Sequence, residues 1–147
     1  MSATVLIVDD NDNDRVIIKR HLFKANSDFI IIEADTAEKG LKALRENKSI
    51  NFMFLDCRLP DANGITLLYK IYDEQADLGP VPTIMVTGQG NDVMAIEGLR
   101  YGAQDYITKN YISPETLQMS MVKAKEIYDM KCRHGKPNQN LKGTING

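Results

Sequence analysis

Cysteine is scarce in this chain: Cys57 and Cys132 are the two present in 147 residues. Two thiols build no disulfide framework, and no Cys/His spacing here suits zinc. A reducing, cytoplasmic setting is the expectation. The N-terminus lacks both a basic stretch and a long apolar stretch, so no signal peptide is expected. No run approaches the roughly 18 apolar residues of a membrane span, so no membrane partner is expected either. Neither acidic nor basic residues dominate, with 18 Lys and Arg against 20 Asp and Glu. A net charge of -2 supplies no bulk basic field, and nucleic acid is not an expected partner. What the chain does have is 43% apolar and 26% charged residues, enough to bury a core in one domain of ordinary size.

The apolar residues come in short runs. "TVLIV" (4–8), "FIII" (29–32), "FMFL" (52–55) and "TIMV" (83–86) are too short for buried helices and read as strands covered on both faces. "DYIT" (105–108) is a weaker fifth. Helical spacing fills the gaps. Ala37, Gly40, Leu41 and Leu44 fall at i, i+3, i+4 and i+7, with Asp35 and Glu38 spaced as a capping pair. Ile65, Leu68, Ile71 and Tyr72 repeat that spacing. Val93, Ile96 and Leu99 predict another helix, closed by Gly102. Ser113 and Pro114 open the last one as N-cap and first helical residue. Strand and helix thus alternate five times. The expected fold is α/β, a doubly wound five-stranded parallel sheet in a three-layer, flavodoxin-like (βα)5 sandwich. Residues 1–130 are expected to form this domain. After about Asp129 the composition turns polar, and 131–147 reads as a tail or linker.

In such a fold, functional groups gather at the carboxyl ends of the strands. Asp9 and Asp10 follow the first run, Asp56 the third, Thr87 the fourth and Lys109 the fifth. The spacing of Asp10, Asp12 and Asp14 starts like a calcium loop. It fails at the sixth position, where Arg15 replaces glycine, and at the twelfth, where His21 replaces glutamate. Asp12, Asn13 and Asp14 read better as caps of the first helix. Asp9 and Asp10 are different, because carboxylates at the end of a buried strand are costly unless paired or bound to a cation. With Asp56 nearby they suit a hard divalent ion shared across the chain.

The motifs "VDD" (8–10), "LDCRLPDANG" (55–64), "VTGQG" (86–90) and "GAQDYITK" (102–109) carry a family resemblance. The chain resembles the receiver domain of two-component response regulators, over about residues 4 to 130. That resemblance implies Asp56 as phosphoacceptor. It implies Mg2+ (or Mn2+) held by Asp10, Asp56 and the backbone carbonyl of Arg58, with Asp9 acting through water. Thr87 and Lys109 would contact the phosphoryl oxygens, and Tyr106 would be the aromatic switch. The implied partners are a histidine kinase or histidine phosphotransfer domain, and a downstream protein at the face formed by about residues 91 to 130. The chain would be a phosphoacceptor that assists its own phosphorylation and dephosphorylation, not a turnover enzyme. Singly, Lys109, Thr87 and Tyr106 read as an exposed lysine, a strand threonine and a strand aromatic. Their conjunction with three carboxylates carries the functional reading. Cys57 and the methionines read as packing.

One position departs from the family pattern: Asn110 follows Lys109 where proline is usual. Arg58 and Gln89, two residues past Asp56 and Thr87, flank the path of an attacking water and are expected to tune phosphate lifetime. Four rivals stand beside this reading, and one of them, a degenerate receiver that never takes phosphate, is disfavoured because all five pocket residues are present. A receiver module cut from a hybrid histidine kinase or longer regulator would have the same sequence. An aspartate-nucleophile phosphatase would need an acidic residue where Arg58 stands. A flavodoxin-like FMN carrier would place its phosphate against Asp9 and Asp10, which repel it. "TGQGND" lacks both the P-loop lysine and the dinucleotide fingerprint.

Overall fold

Five parallel strands carry the chain: β1 (Thr4–Val8), β2 (Ile30–Ala34), β3 (Ile50–Asp56), β4 (Thr83–Thr87) and β5 (Asp105–Thr108). They stand in the order β2-β1-β3-β4-β5, the doubly wound arrangement expected. The computed structural model describes residues 3–79, 81–88 and 90–144, with side chains as far as Lys131. The helices are α1 (Asp12–Ala25), α2 (Ala37–Glu46), α3 (Gly64–Asp73), α4 (Gln75–Leu78), α5 (Asp92–Arg100) and α6 (Pro114–Thr144). The four-residue α4 was not expected; it is too short to show a helical period.

Strand alternation divides the core into two layers, since successive side chains point to opposite faces. Leu6, Val8, Met53, Leu55 and Met85 pack with α2, α3 and α5 on one face. Val5, Ile7, Phe54, Ile84 and Ile107 pack with α1 and α6 on the other. Helix α1 meets that second layer through Ile18 and Leu22, and α6 through Leu117, Met121 and Ala124. Side chains such as Phe54 are fully removed from water, each worth about 1.5–3 kcal/mol of burial.

Several local expectations need correction. Strand β2 lies at the sheet edge, so it is not covered throughout, and Ile30 is 52% exposed. Helix α2 is capped by Thr36, whose side chain accepts from the Lys39 N–H, not by Asp35. Asp35 instead pairs with Lys39 one turn on. Helix α1 is capped by Asn11, one residue ahead of the expected group, through the Asp14 N–H. Ser113 does cap α6, accepting from the Thr116 N–H. Gly102 adopts φ 120° after α5, a conformation suited to glycine. The α6 backbone stays helical to Thr144, well into the segment read as a tail; residues 145–147 of that segment lie outside the described residues.

Candidate functional site

Register sets which side chains meet. Val8 pairs with Leu55, Asp56 with Val86, and Thr87 with Thr108. Asp9 and Asp56 therefore stand level where β1 and β3 end, in line with Val86 and Ile107, and Lys109 stands two residues beyond, just past the end of β5. Alternation then sorts them by face. Asp9 follows Val5 and Ile7, Asp56 follows Phe54, and Lys109 follows Ile107, so all three fall on the α1 side. Thr87 falls two residues beyond Met85, on the α5 side.

The contacts agree with that sorting. The Lys109 ammonium lies 2.6 Å from Asp14, 3.3 Å from Asp9 and 3.6 Å from Asp56. Carboxylate oxygens of Asp9, Asp10 and Asp56 all fall within 4.8 Å of one another. Asp9 and Asp56 are buried, whereas Asp10 is exposed. Among the described residues, the Asp9 carboxylate accepts one hydrogen bond, from the Asn11 N–H at Oδ1. Its Oδ2 is buried and accepts none, although Lys109 is an ionic neighbour. Three crowded carboxylates, one with a bare buried oxygen, fit a hard oxygen-seeking cation such as Mg2+. Burial, then the charge of Asp9, pushes the Asp56 carboxyl up to about 7 despite Lys109. Burial would lower Lys109, but the Asp14 hydrogen bond and the charges of Asp56 and Asp9 outweigh it and raise that group.

The mouth of the site is a cavity of about 320 Å³ lined by Asp10, Asp56, Arg58, Gly88, Asn91 and Lys109 among others. Arg58 bridges it, donating from Nε to Asn91 Oδ1 at 2.7 Å. This arginine, bonded to the residue before α5, offers no general acid to an aspartate-nucleophile phosphatase. Gly64 lets α3 approach closely: a Cβ there would lie 3.0 Å from the Asp56 carbonyl oxygen and 2.9 Å from Met85 Cε. The Gly64 N–H donates to the Cys57 carbonyl at 2.9 Å, which pins the loop that carries Asp56.

Thr87 is fully buried. Its hydroxyl donates to the Gly88 carbonyl at 2.9 Å and lies 3.4 Å from Asp92. It lines a second, smaller cavity shared with Asp92 and Lys109. Tyr106 sits outward on β5, 36% exposed. The Lys109–Tyr111 segment is one 3-10 turn, and no peptide bond among the described residues is cis. Gln89 lies outside the described residues.

Sequence reasoning missed four participants. Asp14 pairs with Lys109 instead of serving only as a cap. It stands four and eight residues before Ile18 and Leu22, the buried residues of α1, so helical spacing already put it on the inward stripe. Asn91 and Asp92, partners of Arg58 and Thr87, left no comparable signal. Arg15 also braces the site, donating to the Asp9 carbonyl at 2.6 Å.

Comparison with known proteins gives one consistent answer. Residues 5–121 match the response regulator receiver domain family. The chain is 34% identical over 111 residues to regulatory protein VanR of Enterococcus faecium, covering 76% of this chain and 45% of that protein. It is 32% identical over 117 residues to transcriptional regulatory protein SrrA of Staphylococcus aureus, covering 80% and 46%. The chain thus spans under half the length of these curated relatives. A CheY-like receiver domain protein from Methanospirillum hungatei JF-1 superposes with a TM-score of 0.71 at 28% identity, over 91% of this chain and 99% of that one. With its strand order and its strand-end carboxylates, this chain belongs to the response regulator receiver domains of two-component signalling.

Proposed function

We propose that the chain accepts a phosphoryl group on Asp56 from a phosphohistidine of a histidine kinase or phosphotransfer domain. One observation carries this reading: Asp9, Asp10 and Asp56 converge within 4.8 Å of one another with Lys109 at their edge. A carboxylate oxygen of Asp56 attacks phosphorus, the P–N bond breaks, and the histidine nitrogen leaves with the electron pair. Such transfer asks the protein mainly for positioning and for positive charge at the moving group. Lys109 supplies part of that charge. Asp10, Asp56 and the Arg58 carbonyl would hold Mg2+ (or Mn2+), with Asp9 acting through water; the ion would supply the rest.

The Thr87 hydroxyl, resting on the Gly88 carbonyl, would turn to a phosphoryl oxygen. Tyr106 would move inward into the space this vacates. That local change would bias the surface of about residues 91 to 130, where Val93, Ile96, Tyr111, Met119 and Val122 are exposed. A downstream protein reads that surface in this proposal. Arg58, tied to Asn91 across the mouth, would control water access and so the lifetime of the phosphoryl group. No helix among the described residues is long and apolar enough to cross a membrane, and the reading places the domain in the cytoplasm.

A receiver module of a longer regulator or hybrid kinase is the second reading. The match spans 45% of VanR and 46% of SrrA, and in either case residues 1–130 act as the receiver. Incubation with acetyl phosphate and Mg2+, followed by peptide mass mapping, tests the shared core. The expected result is one added phosphoryl group on a peptide containing Asp56, absent in Asp56→Asn. A modification mapped outside residues 52–58 overturns it.

A further inference from the structure

The nearest partner of Lys109 is not the proposed acceptor. Its ammonium is 2.6 Å from Asp14 and 3.6 Å from Asp56. Only the first contact is within hydrogen-bond distance. Asp14 is held for this task from two directions. Its own N–H is bonded to the Asn11 cap, which fixes the first turn of α1. Its place on the Ile18 and Leu22 stripe aims it at the sheet. A carboxylate in the first helical turn is ordinarily explained by the helix dipole. Here Asp12, 86% exposed and paired with Arg15, is free to answer that need, and Asp14 turns inward to the lysine.

We propose that Asp14 is a positioning residue that holds Lys109 in reserve and sets how much phosphoryl group Asp56 retains. The inference rests on the phosphoacceptor reading above. Before transfer, Asp14 neutralises the cation that must face the phosphoryl oxygens. After transfer, the same ammonium serves two anions at once, and the Asp14 charge opposes the newly arrived one. Both effects act in one direction. Asp14 favours the unphosphorylated state, so removing its charge while keeping its shape favours the phosphorylated one. A charge lost a few Å from the transferred group, with water-like screening, corresponds to about a fivefold change.

The test measures the ratio of phosphorylated to unphosphorylated chain at steady state with subsaturating acetyl phosphate and Mg2+. Wild type is compared with Asp14→Asn, Asp14→Glu and Asp12→Asn. Asp14→Asn is expected to raise the ratio about fivefold. Asp14→Glu keeps the charge and is expected to stay near wild type. Asp12→Asn removes the same charge from the same helix turn, away from Lys109, and is expected to change little. An unchanged or lowered ratio in Asp14→Asn overturns the proposal, and so does an equal rise in Asp12→Asn. Wild type that labels normally while these variants behave alike leaves the acceptor reading standing and removes only this one. Wild type that takes no phosphoryl group on Asp56 removes both.

Discussion

Glu33 on β2 and Asp56 at the end of β3 are both carboxylates near α1, and their surroundings push them in opposite directions. Glu33 is bonded by two cations, Arg15 Nε at 2.8 Å and Lys19 Nζ at 2.8 Å, the first shared with Asp12. The Lys19 hydrogen bond, aided by Arg15, holds it below the usual carboxylate range. Asp56 shares one lysine with Asp9 and Asp14, and burial with the Asp9 charge lifts it to about 7. The first cluster is an ordinary ion-pair network at a half-exposed sheet edge. The second holds more negative charge than its protein partners balance. A folded protein keeps such an imbalance where a ligand or a reaction uses it.

Lys109→Met is the harshest way to break the contrast. Among the described residues, it removes the one cation that pairs with Asp9, Asp14 and Asp56 together. In chelator, urea unfolding should show a loss of about 3 kcal/mol, the scale of an uncompensated buried charge. Mg2+ should restore part of it, and equal stability with and without the ion would argue against a cation site.

Next is the pH dependence of the metal-free fold. The Asp56 pKa is raised to about 7 in the folded chain, against about 3.9 when unfolded. Between those values the folded state holds a proton that the unfolded state has lost. Stability from this group is therefore fullest in acid and falls as pH rises from about 4 to about 7. Asp56→Asn should flatten that slope and leave the variant about 2 kcal/mol more stable at pH 7.5 in chelator. Parallel curves for the two proteins would show that Asp56 titrates normally.

Glu33→Gln should have the smallest effect. Its pKa is lowered, so its contribution is present above the unfolded value and lost as pH falls through the folded one. With its side chain 34% exposed, the loss at neutral pH should be about 0.5 kcal/mol and shrink in salt. A loss as large as that of Lys109→Met would erase the distinction between the two clusters.

The strand pattern was legible because a buried parallel strand has to be apolar on both faces. Hence β1, covered on both faces, matches its expected run to the residue, while the edge strand β2 ends two residues later, at Ala34; β5 matches its run although it is the other edge strand. Asp9, Asp10, Asp56, Thr87 and Lys109 could be nominated because a polar residue directly after such a run has one place to go, the end of the sheet. Their identities and alternation were enough to anticipate a shared site. The partners of those residues were not legible. Asp14 and Lys109 are 95 residues apart, and Arg58 and Asn91 are 33 apart.

Local physics written into single segments determined the elements, their order and the chemical groups at the strand ends. Tertiary structure alone decided which carboxylate holds Lys109, which amide Arg58 bonds at the mouth beside Asp56 and where Thr87 rests. Those choices depend on strand register and on how far each helix packs from the sheet, and no single segment contains either quantity.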